Sequence, residues 1–144
     1  MNSAKFNHFQ AERINTILPQ STSYVLTSSQ SGSIIFCDPA NYATTINLPE
    51  VDYGLNFKFI LKSISTTNNI IIKSMNSSFS EANLIYGNGN SANISAYPCS
   101  QLKFNSPNQN IGDTIEFICD GTNWFAIWNT RTVISSDQII GSSV

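Results

Sequence analysis

Between Leu55 and Lys62 apolar and polar side chains alternate almost without a break. Leu55, Phe57, Phe59 and Leu61 fall on one side, and Asn56, Lys58 and Lys62 on the other. A period of two marks a strand with one buried face, because successive Cβ atoms of an extended chain point to opposite sides. Only Ile60 breaks the polar side. Similar short runs rich in Ile, Val, Phe, Tyr and Thr recur from residue 23 onward, separated by clusters of Ser, Asn, Gly and Pro that read as turns. They predict strands at Tyr24–Thr27, Ser33–Cys37, Thr44–Leu48, Leu55–Lys62, Asn69–Lys73, Asn83–Tyr86, Ala92–Tyr97, Gln101–Phe104, Thr114–Cys119 and Trp124–Trp128. No stretch of ten or more residues carries a helical period.

Many short strands at close spacing fit a sandwich, a jelly roll or a barrel. The expected fold is all-β, a single jelly-roll-like sandwich over residues 23–144. No solenoid or propeller repeat is visible, which argues for one domain. Residues 1–22 differ: Phe6, Phe9, Ile14, Ile17 and Leu18 are irregularly spaced and Pro19 closes the stretch. They read as an N-terminal arm or docking segment, with a short helical turn as the other possibility.

The most informative segment runs from Thr114 to Trp128. Asp120-Gly121 between two strand-like runs is a strong hairpin signal, since Gly supplies the positive φ such turns need. Ile115, Phe117 and Cys119 face one way, Glu116 and Ile118 the other. Across the turn, Trp124, Ala126 and Trp128 oppose Phe125 and Ile127. A pair of strands with one wet face has no need of apolar residues on both sides. One face is expected to fill the core and the other to meet a neighbouring subunit. The interface candidates are Phe117, Trp124, Phe125, Ile127 and Trp128. Phe125 and Ile127 are assigned to the neighbour, and Trp124 and Trp128 replace them if those two prove to be core.

Composition sharpens this picture. Of 144 residues 41% are apolar, enough to fold, but only 11% are charged, against roughly 25% in an average globular protein. A surface of neutral amides and hydroxyls suits protein–protein contact, because burying them costs less than burying an unpaired charge. An AT-rich coding genome would produce the same surplus of Asn and Ile. The seven basic residues (Lys5, Arg13, Lys58, Lys62, Lys73, Lys103 and Arg131) are scattered in a chain of net charge −2, which argues against nucleic-acid binding. The longest apolar runs, such as Ile70-Ile71-Ile72, are too short for a helical membrane span. The N-terminus lacks the pattern of a signal peptide.

Tyr24-Val25-Leu26-Thr27, Thr45-Ile46-Asn47-Leu48-Pro49, Gly54-Leu55-Asn56-Phe57-Lys58-Phe59 and Gly112-Asp113-Thr114-Ile115-Glu116-Phe117 occur in that order, followed by Asp120-Gly121-Thr122-Asn123-Trp124. Together, over residues 23–130, they resemble a recurrent β domain of virion proteins. Such domains occur in bacteriophage tail-fibre and decoration proteins and in structural proteins of large DNA viruses. The resemblance implies a small sandwich that assembles as a trimer, located in the virion, with itself and other virion proteins as partners. It brings no catalytic residues.

Candidate chemistry is sparse. The lone histidine, His8, sits in the atypical N-terminal stretch beside Phe9 and reads as packing or solvated rather than as a triad member. Cys37, Cys99 and Cys119 are an odd count in apolar settings, as buried free thiols would be. Asp113, Glu116 and Asp120 cluster in sequence, but turn and edge roles suit them better than the paired carboxylates of a glycosidase. No C-x-x-C, His pair or calcium loop is present, and Asn88-Gly89-Asn90 reads as a loop tip. The sequons at Asn76 and Asn93 are expected by chance in so Asn- and Ser-rich a chain. The expectation is a non-enzymatic protein without metal or cofactor. The alternative is a receptor- or carbohydrate-binding module, with Tyr86 and Tyr97, joined by Trp124 and Trp128, as a platform for a host-surface glycan.

Overall fold

A computed structural model describes residues 16–75, 85–89, 99–130 and 142–143, with the backbone path alone at 17, 85–89, 99–100 and 142–143. Its strands are β1 (Thr16–Ile17), β2 (Ser23–Val25), β3 (Ser33–Cys37), β4 (Thr44–Asn47), β5 (Tyr53–Leu61), β6 (Ile70–Lys73), β7 (Ile85–Gly89), β8 (Cys99–Phe104), β9 (Thr114–Asp120), β10 (Trp124–Asn129) and β11 (Ser142–Ser143). Among the described residues the one helical piece is a 3-10 turn at Ser28–Gln30, boxed by Thr27 and Gln30. The chain is an all-β sandwich, as its alternation predicts.

The path of the chain through the two layers is less predictable. β1, β3 and β5 lie side by side and parallel in one layer, called here the front. β2, β4 and β6 do the same in the back layer. Each turn of the chain therefore lays one strand in each layer, and Ile35 stacks on Phe59 while Ile46 stacks on Ile72. This is a short coil of three turns, which the sequence does not announce as a repeat. Its crossings from front to back lengthen from 18–22 through 38–43 to 62–69, and equivalent positions share apolar character but not identity.

The second half closes the coil with antiparallel strands. β8 pairs with β6 in the back layer, and β9 pairs with β5 in the front. β10 forms a hairpin with β9 and runs parallel to β7, which meets β8 at Ile85 and Cys99 and so joins the layers along one side. β11 pairs with β8. Thr16 and Ile17, expected in the arm, are thus part of the front layer. Residues 1–15 and the strand expected at Ala92–Tyr97 lie outside the described residues.

Alternation supplies the core. Leu55, Phe57, Phe59, Leu61, Ile115, Phe117, Trp124, Ala126 and Trp128 come from the front, and Leu26, Ile46, Leu48, Ile70, Ile72, Leu102 and Phe104 from the back. Each large side chain so buried contributes roughly 1.5–3 kcal/mol. Phe117 anchors an aromatic cluster, edge-on to Phe59 at 5.5 Å and to Trp124 at 6.4 Å. Offset and edge-to-face contacts of this kind suit the ring quadrupoles. Cys37 and Cys119 are buried free thiols, as expected. Burial pushes the Cys37 thiol well above its ordinary range. The side chain of Cys99 lies outside the described set.

A buried amide holds the loops at one end. Gln109 Oε1 accepts the Ser65 N–H at 2.9 Å, and its Nε2 donates to the carbonyls of Asn68 and Phe104 at 2.9 and 3.1 Å. One side chain thus ties the β5–β6 crossing to the end of β8.

Candidate functional site

The hairpin turn forms as its sequence predicts. Gly121 has φ of 95°, a conformation in the left-handed region that favours glycine. Asp120 Oδ1 accepts the N–H groups of Thr122 and Asn123 at 2.9 and 2.8 Å. Those backbone bonds, Asn123 first, hold the Asp120 carboxyl below its usual range.

On the inner side of this hairpin Phe117 and Trp124 are fully buried and Trp128 is 3% exposed. These three expected interface residues are core residues of this chain, because the inward half of the alternation closes over the back layer. Among the described residues neither indole N–H has an acceptor, and both rings fill core volume. They also leave the expected ligand platform. Tyr86 enters it only as a backbone position beside Phe125, and Tyr97 lies outside the described residues.

On the outer side Phe125 is 43% exposed, Ile127 56% and Ile118 43%. Strand register extends this patch across the front layer in three rows. The first is Phe36, Ile60, Thr114 and Asn129; the second Ile34, Lys58, Glu116 and Ile127; the third Asn56, Ile118 and Phe125. Ile34, Phe36 and Ile60 are half-buried. The outer front face is therefore a mostly apolar sheet surface with one lysine and one glutamate at its centre, on adjacent strands in direct register. The hairpin's share of it is legible in the sequence, where Ile60 also stands out on the polar side of its strand. Ile34 and Phe36 are not singled out there, although each occupies the outward position of an alternating strand.

The three carboxylates that cluster in sequence do not gather at one point. Asp113 is buried at the start of β9 and accepts the Asn110 N–H on Oδ2 at 3.0 Å. Glu116 projects from the outer face, and Asp120 sits in the turn. Glu116 and Asp120 are four residues apart on an extended strand, or about 13 Å, beyond the spacing of a glycosidase pair. Among the described residues no three His, Cys, Asp or Glu side chains come together as a metal site. No helix there is long and apolar enough to cross a membrane. His8 lies outside the described residues.

A second feature is a cleft of about 240 Å³ where the three front-to-back crossings stack. Leu18, Pro19, Gln20, Asp38, Asn41, Tyr42 and Lys62 line it. Asp38 accepts a hydrogen bond from the Ser63 hydroxyl and the Ala40 N–H, and lies 3.6 Å from Lys62 Nζ. The Ser63 bond is the first cause that holds its carboxyl below the usual range. Asn68 Nδ2 donates to the Pro39 carbonyl at 2.8 Å and joins two of the crossings.

No protein-family model matches the chain, and no curated protein matches it.

Proposed function

We propose that this chain is a non-enzymatic structural building block that assembles with copies of itself, and that its place is a virus particle. The observation that carries the assembly reading is the outer front face, where Ile118, Phe125 and Ile127 stand 43–56% exposed beside further half-buried Ile and Phe. Contiguous apolar surface of this kind marks a contact site in a soluble protein. Depletion of charge across the chain points the same way, since interface centres lose charge and gain aromatics. The virion setting and further virion proteins as partners come from the sequence resemblance; the three copies that the resemblance also implies find no support in the front face, which carries self-association and not its number. Sedimentation of the intact chain tests assembly: an oligomer is expected, and a monomer at all concentrations contradicts it. Immunogold labelling of particles purified from the source of the chain tests the setting, and unlabelled particles contradict it.

One observation favours a second reading, a carbohydrate-binding module. The crossing-loop cleft presents a carboxylate, an amide, a phenol and an ammonium together, which is common sugar-contact chemistry. Calorimetric titration with simple glycans separates the readings. Binding that is lost in Asn41→Ala and Tyr42→Ala supports the second.

A further inference from the structure

We infer, building on the self-association reading above, that the partner of the front face is the same face of a second copy. The two copies are related by a two-fold axis that runs along the strands between β5 and β9, so that Lys58 of each copy meets Glu116 of the other.

Two observations lead there. The first concerns what else the face can meet. A ring of three presses one copy's face against a different surface of the next. The other broad surface of the sandwich carries Ser23, Thr45, Ile71 and Lys103 in one row and Val25, Asn47, Lys73 and Gln101 in the next. It is mostly polar and offers little apolar area to match. A two-fold contact needs no second surface, because the face is its own complement.

The second observation is the central charge pair. Covering the face removes Lys58 and Glu116 from water, and a desolvated charge without a partner is far more costly than an isoleucine set against a threonine. Charge therefore decides the register. With the axis between β5 and β9, β5 of one copy lies over β9 of the other. Each Lys58 then has a Glu116 beside it in its own sheet and another across the interface, while Ile34 meets Ile127. The four strands β3, β5, β9 and β10, with β7 beside them, span roughly 24 Å by 20 Å at ordinary strand spacing. That is roughly 500 Å² per copy, at the low end for a specific contact, so association is concentration-dependent.

The test exchanges charges between copies. Lys58→Glu and Glu116→Lys are each expected to weaken pairing at least a hundredfold, with unchanged circular dichroism. Mixing the two variants in equal amounts is expected to restore a two-copy mass. In the mixture only contacts between copies become complementary, since each chain still carries like charges side by side. As a second measurement, Ile34→Cys with Ile127→Cys is expected to be joined between copies by a bis-maleimide that reaches about 8 Å, since facing sheets lie about 10 Å apart at the backbone, too far for a direct disulfide. The two sites are three strands apart within one copy, about 14 Å, beyond the reach of the same linker. If the unaltered chain is monomeric, the self-association reading itself fails. If it associates but the mixture stays monomeric, or the folded cysteine variant does not cross-link between copies, or the mass is that of three copies, the two-fold register is overturned while self-association stands.

Discussion

The two outer surfaces of the sandwich arise from the same alternation and carry different chemistry. On the front, the outward positions of β3, β5, β9 and β10 are Ile34, Phe36, Ile60, Ile118, Phe125 and Ile127 beside Asn56, Thr114 and Asn129, with Lys58 and Glu116 the charges at the centre. On the back, the outward positions of β2, β4, β6 and β8 are Ser23, Thr45, Asn47, Lys73, Gln101 and Lys103, with Val25 and Ile71 the apolar ones among them. Both layers send their inward residues into one core, so core formation does not account for the contrast. A sheet that faces water on one side reads as apolar-in and polar-out. The back layer obeys that rule and the front layer breaks it, and the proposal that the front is covered by another copy rests on that break.

The largest expected effect separates the inner side of the front layer from its outer side. Trp124→Ala empties a fully buried site against Phe57 and Phe117 and is expected to cost about 3–5 kcal/mol of folding stability. Phe125→Ala, one residue on, should cost the isolated fold less than about 1 kcal/mol. Chemical denaturation measures both, and equal losses would erase the distinction between the two sides.

Next comes front against back. Phe125→Asp with Ile127→Asp should leave the fold intact and abolish association, because it sets four carboxylates into a face-to-face contact. Val25→Asp with Ile71→Asp, a matched change on the back face, should leave the mass unchanged. Loss of assembly in the back-face variant would show that the contrast between the surfaces is not the one that matters.

Gln109→Leu keeps volume but breaks three hydrogen bonds that tie loops of both layers. It is expected to cost about 2–4 kcal/mol, since the backbone groups it satisfies lose their partner. A stability equal to that of the unaltered chain would refute the clamp.

The sandwich and the hairpin were legible in the sequence because each depends on local rules. Ser33–Cys37 is predicted with its observed bounds, and Asp120-Gly121 forms the expected turn. The coil was not legible. Parallel stacking of β3 on β5 and of β4 on β6 depends on pairings that turn chemistry does not encode, and the crossings of unequal length hide the repeat. Phe117, Trp124 and Trp128 were misplaced among interface residues for a related reason. Alternation assigns them to one side of the hairpin without saying which side the back layer covers. The front face as a whole is not legible in the sequence, because Ile34, Phe36 and Ile60 join the hairpin's residues only once register brings β3 and β5 beside β9.

The smallest expected effect is that of pH. The carboxyls of Asp38, in the crossing loops, and Asp120, at the hairpin tip, are both held below their ordinary value. A depressed folded pKa means that the stabilisation is present above the unfolded value and is lost as pH falls through the folded one. The melting temperature should therefore be flat from neutral pH down to about 5 and decline below about 4, the usual carboxylate range. Asp38→Asn should flatten part of the decline, and an identical profile would remove Asp38 as a contributor.

The most direct test of the front face as a covered surface is the native mass, read by sedimentation over a range of concentrations. The unaltered chain is expected to move from one copy to two as concentration rises, while Phe125→Asp with Ile127→Asp stays at one copy with the same β-rich circular dichroism. An unaltered chain that remains single throughout, or a folded double variant that keeps the mass of the assembly, would contradict it.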